Sequence, residues 1–149
     1  MTDIGFYHLT RTPLERALPR LLEKVVETGA RAVVIASSSD RVEALNSMLW
    51  TYDQGSFLPH GSARDGDAGD QPIWLTTEDE NPNGATVLVL ADGAQSAAVG
   101  TYVRCLEMFD GNDPSAVTAA RERWRGYATA GHGLTYWQQN ARGGWEKKA

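Results

Sequence analysis

The first third of the chain predicts a three-layer α/β fold, with a mostly parallel sheet and helices on both faces. Residues 31–37, RAVVIAS, form a continuous apolar run of the kind found in strands covered on both sides. An apolar and aromatic run at 4–9 precedes it, separated by leucines and valines at helical spacing, so strand and helix alternate. That alternation implies parallel strands joined by right-handed crossovers.

In order, 4–9 (IGFYHL) is a short buried strand by its β-branched and aromatic content. Leu14, Leu18, Leu21, Leu22 and Val25 then recur at helical spacing, with Gly29 as the terminator. Pro19 removes an interior hydrogen bond at a cost of about 3 kcal/mol, which predicts a kink or a separate first turn. A second helix is expected over 40–48, capped by one of the residues 37–40. Residues 50–61, WTYDQGSFLPHG, mix turn formers with aromatics, so part of this loop must pack. The next stretch, 61–71, has the Gly and Asp content of a surface loop. Strands are expected at 73–77 and 86–91, separated by a polar turn with Asn83 and Gly84 as a tight-turn pair. After a small-residue linker or weak helix at 93–100, 102–109 reads as the last strand. Residues 131–137 read as an extended aromatic segment crossing the surface, and 138–149 as a flexible tail.

The 149 residues fit one domain, 1–149, at the usual domain size of about 100 to 150 residues. No run of about 20 apolar residues is present to cross a bilayer, and the start lacks the pattern of a secretory signal, so a cytoplasmic location and no membrane contact are expected. Cys105 is the one cysteine and His8, His60 and His132 are far apart, which leaves no spacing suited to a metal site. Net charge is −5, against a wide nucleic-acid grip. The charge is uneven: 1–112 hold 8 Lys and Arg against 16 Asp and Glu, whereas 113–149 hold 6 against 3. A local anionic ligand of limited size fits that asymmetry better than a long polyanion.

The basic segment contains a well-marked helix at 113–127, DPSAVTAARERWRGY. Asp113 can accept amide hydrogen bonds of the first turn, and Pro114 suits the first helical position. Val117, Ala120, Trp124 and Tyr127 recur at spacings of three and four, while Val117, Arg121 and Arg125 form an adjoining row. Trp124 stands where the rows meet, and an aromatic beside two guanidiniums suits an apolar group that carries an anion.

Enzyme readings lack their tools. No G-x-G-x-x-G follows either early strand, and the glycines of 61–71 lack the Lys and Ser/Thr of a phosphate loop. The serines lack a G-x-S-x-G elbow, although His8 and His60 remain available as bases. The acidic run Glu78, Asp79, Glu80 reads as a solvated turn. A nucleotide-binding α/β domain, or a hydrolase without recognisable motifs, stays open as the alternative, as does direct binding of single-stranded DNA through Trp124 and the arginines.

The order FYHL, then LW followed by SFLPHG, then a late F-x(11)-R-E-R-W-R-x-Y block resembles the chi subunit of bacterial DNA polymerase III, an accessory protein of the clamp loader. The resemblance covers nearly the whole chain. It implies a Rossmann-like fold without nucleotide chemistry, no cofactor, and no catalytic activity of its own. It further implies binding to the acidic, phenylalanine-terminated tail of single-stranded-DNA-binding protein, hence indirect association with single-stranded DNA, and in many members a psi subunit as the link to the clamp loader. Carried over by position, the tail pocket falls on Trp50 and Phe57 from the loop and on Arg121, Trp124 and Arg125 from the helix. Trp124 stands where a tyrosine is familiar and Arg125 where a lysine is. Val117 replaces a lysine, so a smaller basic surface is expected, and Asp110 replaces an apolar residue near the pocket, where its charge would repel an acidic tail. The helix would supply charge and the loop the apolar wall.

Overall fold

The computed structural model describes residues 2–52, 58–63 and 65–149. Among them, one sheet of eight strands runs in the order β3-β4-β2-β5-β6-β1-β7-β8. The strands are β1 (Asp3–Leu9), β2 (Ala32–Ile35), β3 (Gly61–Ser62), β4 (Ile73–Thr76), β5 (Val87–Ala91), β6 (Arg104–Asp110), β7 (Gly133–Gln139) and β8 (Trp145–Lys147). Every neighbouring pair is parallel except β7 with β8. The helices are α1 (Leu14–Glu27), α2 (Ser39–Thr51) and α3 (Pro114–Thr129). Among the described residues, no helix is long and apolar enough to cross a membrane.

Side chains alternate across the sheet, as the two-residue period of a strand requires. Tyr7, Leu9, Val34, Leu75, Val89, Leu106 and Met108 pack with α1 and α2 on one face. Phe6, Ile35, Leu88, Cys105 and Phe109 pack with α3 on the other. The topology explains this division. The chain moves one way across the sheet from β1 to β2, and the opposite way from β6 to β7 over β1. Right-handed crossovers running in opposite senses put their helices on opposite faces. The three-layer α/β expectation therefore holds.

Helix α1 runs unbroken through the buried Pro19. Its Leu14, Leu18, Leu21, Leu22 and Val25 are all buried, and at about 1.5–3 kcal/mol each they outweigh one missing hydrogen bond of about 3 kcal/mol. Helix α2 is capped by Ser38, whose Oγ accepts the Arg41 amide at 3.1 Å, and it continues to Thr51. Trp50 thus belongs to its last turn rather than to the following loop. Gly84 adopts the positive φ of a turn, yet β4 and β5 do not form a hairpin, because they lie on either side of β2 and parallel to it. Asn83 is buried instead. Its Nδ2 donates to the carbonyls of Ala32 and Gln71 at 3.1 and 2.8 Å, fastening the crossover to the amino ends of β2 and β4.

The C-terminal part departs most from expectation. Residues 102–109 do not supply the last strand, since β7 adds alongside β1 and β8 returns antiparallel to β7. The segment read as a flexible tail is thus partly sheet. Trp137 and Trp145 pack partly buried against the α1 side of the core, and that burial holds a strand which the polar sequence around it conceals.

Candidate functional site

Helix α3 begins where its sequence indicates: Asp113 Oδ1 accepts the Ser115 amide at 2.9 Å, and Pro114 occupies the first turn. Its inner side seats Ala120 in the core and presses Val117, Trp124 and Tyr127 toward β1. The three arginines of R-E-R-W-R then divide. Arg123 turns inward, and its Nε donates to both oxygens of Glu107 at 3.1 and 3.0 Å, while the Tyr127 hydroxyl donates to Glu107 Oε2 at 2.7 Å. Glu107 is fully buried, and burial is the main cause that raises its pKa, opposed by the Arg123 charge and the Tyr127 hydrogen bond. Arg121 and Arg125 stay exposed, and neither is held by a carboxylate among the described residues.

Trp124 is half-buried between them. Its ring meets Phe6 edge-on at 5.3 Å and Tyr136 at 5.9 Å, and Tyr136 stacks on Phe6 at 6.4 Å. His8 completes the cluster, 5.2 Å from the Phe109 ring, with its Nδ1 and the Tyr136 hydroxyl 2.6 Å apart. Gly111 leaves space for that imidazole: a Cβ there would fall 1.9 Å from His8 Cδ2. Burial pushes the His8 pKa below its ordinary value and Arg121 adds to this, while the Gly111 backbone and Asp110 pull the other way. Because the folded value is lowered, the associated stability is present above the ordinary value of about 6.5 and is lost as pH falls through the folded value. Melting temperatures of the native protein and His8→Asn are therefore expected to converge as the pH is taken down from 6.5. Parallel melting curves across that range would remove His8 from the site's electrostatics.

The structure brings Arg121, Trp124 and Arg125 together but sets Trp50 apart. Trp50 lies on α2, whose core contacts are on the far face of the sheet, and it packs on the His60 ring at 4.6 Å. Three strand spacings of about 4.8 Å, from β4 to β6, and the sheet itself separate it from α3. The single pocket expected from Trp50 and the helix is thus corrected: a residue on α2 cannot wall a ligand held on α3. Phe57 lies outside the described residues. The accessible apolar surface beside Trp124 comes from the half-buried Tyr136 instead, with the fully buried Phe6 supporting both rings from beneath, and His8 stands at its edge. These three were visible in sequence only as alternate residues, Phe6 with His8 and Leu134 with Tyr136, on two strands far apart in the chain.

The carboxyl ends of β1 and β6 form the crevice where doubly wound sheets hold ligands, here a cleft of about 360 Å³ lined by the loop after β1 together with Asp92, Asp110 and Asn112. Three of its backbone donors are already taken. The amides of Thr10, Arg11 and Thr12 all donate to Gln139 Oε1, at 3.1, 3.0 and 3.1 Å. The chain's own amide oxygen occupies the place where a phosphate would be cradled. Among the described residues, no group of three His, Cys, Asp or Glu is arranged to hold a metal. Cys105 is buried, and burial raises its thiol pKa, so it packs as a small apolar residue.

The family model for the DNA polymerase III chi subunit, HolC, matches residues 1–135. The chain is also similar to a probable DNA polymerase III subunit chi from Rickettsia prowazekii (strain Madrid E), at 36% identity over 107 residues. That match covers 70% of this chain and spans 65% of the length of the relative.

Proposed function

Because the chain belongs to the DNA polymerase III chi subunit family, we propose that it is a non-catalytic adaptor that binds the acidic, phenylalanine-terminated tail of single-stranded-DNA-binding protein through α3 and links it to the clamp loader. The observation that carries this reading is the exposed pair Arg121 and Arg125, held by no carboxylate among the described residues, flanking the half-buried Trp124. A terminal phenylalanine laid against Trp124 and Tyr136 contributes about 1.5–3 kcal/mol, and a carboxylate on Arg121 about as much again. Micromolar binding needs about 8 kcal/mol, so acidic residues along the tail must add further contacts, and the affinity falls with salt. Val117 leaves α3 one cation short of the familiar pattern, and Asp110 places a negative charge near His8. Both lower the expected affinity. A psi subunit as the route to the clamp loader belongs to the same proposal, as does an indirect association with single-stranded DNA. The plugged loop after β1 disfavours the nucleotide alternative.

Calorimetric titration with a peptide ending in aspartate, proline and phenylalanine tests the reading. Arg121→Glu is expected to weaken binding at least tenfold, and removal of the terminal phenylalanine to do the same, whereas Lys147→Glu leaves it nearly unchanged. Equal affinities for both peptides, or equal effects of the two charge reversals, would place the tail elsewhere.

A further inference from the structure

A second aromatic and cationic feature lies on the opposite face of the sheet from α3. Between α1 and the β7–β8 edge runs a slot of about 230 Å³. Leu21 and Val25 of α1 form one wall. Trp137 and Trp145 form the other, with Tyr7 stacked 6.5 Å from Trp137 and edge-on to Trp145 at 5.1 Å. The exposed Lys24 and Arg104 also line the slot, and the Arg104 charge acts on the Tyr7 hydroxyl, opposing the rise in its pKa that burial causes. Neither cation is in an ion pair among the described residues, although Asp3 sits opposite Arg104 in the strand register. Among the described residues no carboxylate lines the slot, in a protein whose net charge is −5.

We propose that this slot is a second docking site, for an acidic peptide segment that inserts one aromatic side chain between Leu21 and the indoles while its carboxylates meet Lys24 and Arg104. The volume accommodates one large side chain and not a run of stacked bases, and two cations cannot track a phosphate backbone, which favours peptide over nucleic acid. Pockets that enclose a free small molecule usually measure about 300–1,000 Å³, so an occupant of this smaller slot needs neighbouring residues on its own chain to bind well. The site lies on the other face from Arg121 and is independent of the tail reading.

The probe is acetyl-Asp-Asp-Phe-Asp-amide, which lacks the free terminal carboxylate proposed for α3, added to the full chain carrying Arg121→Glu. Proton–nitrogen NMR follows the indole N–H signals, assigned with Trp137→Phe and Trp145→Phe. The Trp137 and Trp145 signals are expected to move. Lys24→Glu with Arg104→Glu should weaken binding at least tenfold, and replacing the peptide's phenylalanine by alanine should do the same. Lys24→Ala with Arg104→Gln, checked by melting temperature, provides a milder pair if the double reversal folds poorly. Unmoved indoles, or unchanged affinity in a folded double variant, overturns the proposal. So does an oligothymidylate that moves these indoles when the peptide does not.

Discussion

Arg123→Ala is expected to lower the unfolding free energy by about 3–5 kcal/mol, because it leaves the fully buried Glu107 without its ionic partner. That is a large share of a typical total of about 5–15 kcal/mol. The loss depends on pH. Burial already raises the Glu107 pKa, and removing Arg123 takes away the largest opposing influence. A raised folded value means stability that is present below the ordinary carboxyl value and is lost as pH rises through the folded one. The variant should therefore unfold more readily at pH 8 than at pH 5, with denaturant midpoints as the measure. The pair itself is imperfect, since Arg123 Nη2 is buried with no hydrogen-bond partner among the described residues. Arg123→Met combined with Glu107→Leu should consequently recover most of the stability, as apolar replacements of buried ion pairs often do. A cost below about 1 kcal/mol for Arg123→Ala, flat with pH, would show that the pair contributes little.

Gln139→Leu is expected to cost about 2–4 kcal/mol, because it strips the acceptor from three amides and removes the bond from its Nε2 to Thr12 Oγ1 at 2.7 Å. A buried donor left unpaired costs about 1–3 kcal/mol, and solvent entering the loop recovers part of the total for three. Gln139→Glu retains an acceptor for the same amides and should lose less. Hydrogen exchange provides the local reading: the amides of residues 10–12 should exchange slowly in the native protein and quickly in Gln139→Leu. Equal exchange in both would mean that Gln139 does not hold the loop. Since this loop sits at the crevice between β1 and β6, the same side chain both braces the sheet and fills its usual anion cradle.

Local chemistry made part of this protein legible in its sequence. Asp113 and Pro114 marked the start of α3, the unbroken apolar run at 31–37 marked a strand covered on both faces, and the spacing of Arg121, Trp124 and Arg125 put an aromatic among cations on one helix. Each depends on residues within one or two turns, where capping, periodicity and burial act without the rest of the fold. The motif order carried the family, and with it the expectation of an adaptor.

Only the tertiary structure decided which residues stand beside that helix. Trp50 and Trp124 look equivalent as exposed aromatics in a linear reading, yet opposite crossover directions put α2 and α3 on opposite faces. Tyr136 joins Phe6 and His8 beside Trp124 because β7 pairs with β1, a contact across about 130 residues that no local period encodes. Arg123 and Arg121 are two residues apart on one helix, so they point to different environments. The position of Glu107 on the neighbouring strand made one of them a buried partner and left the other exposed.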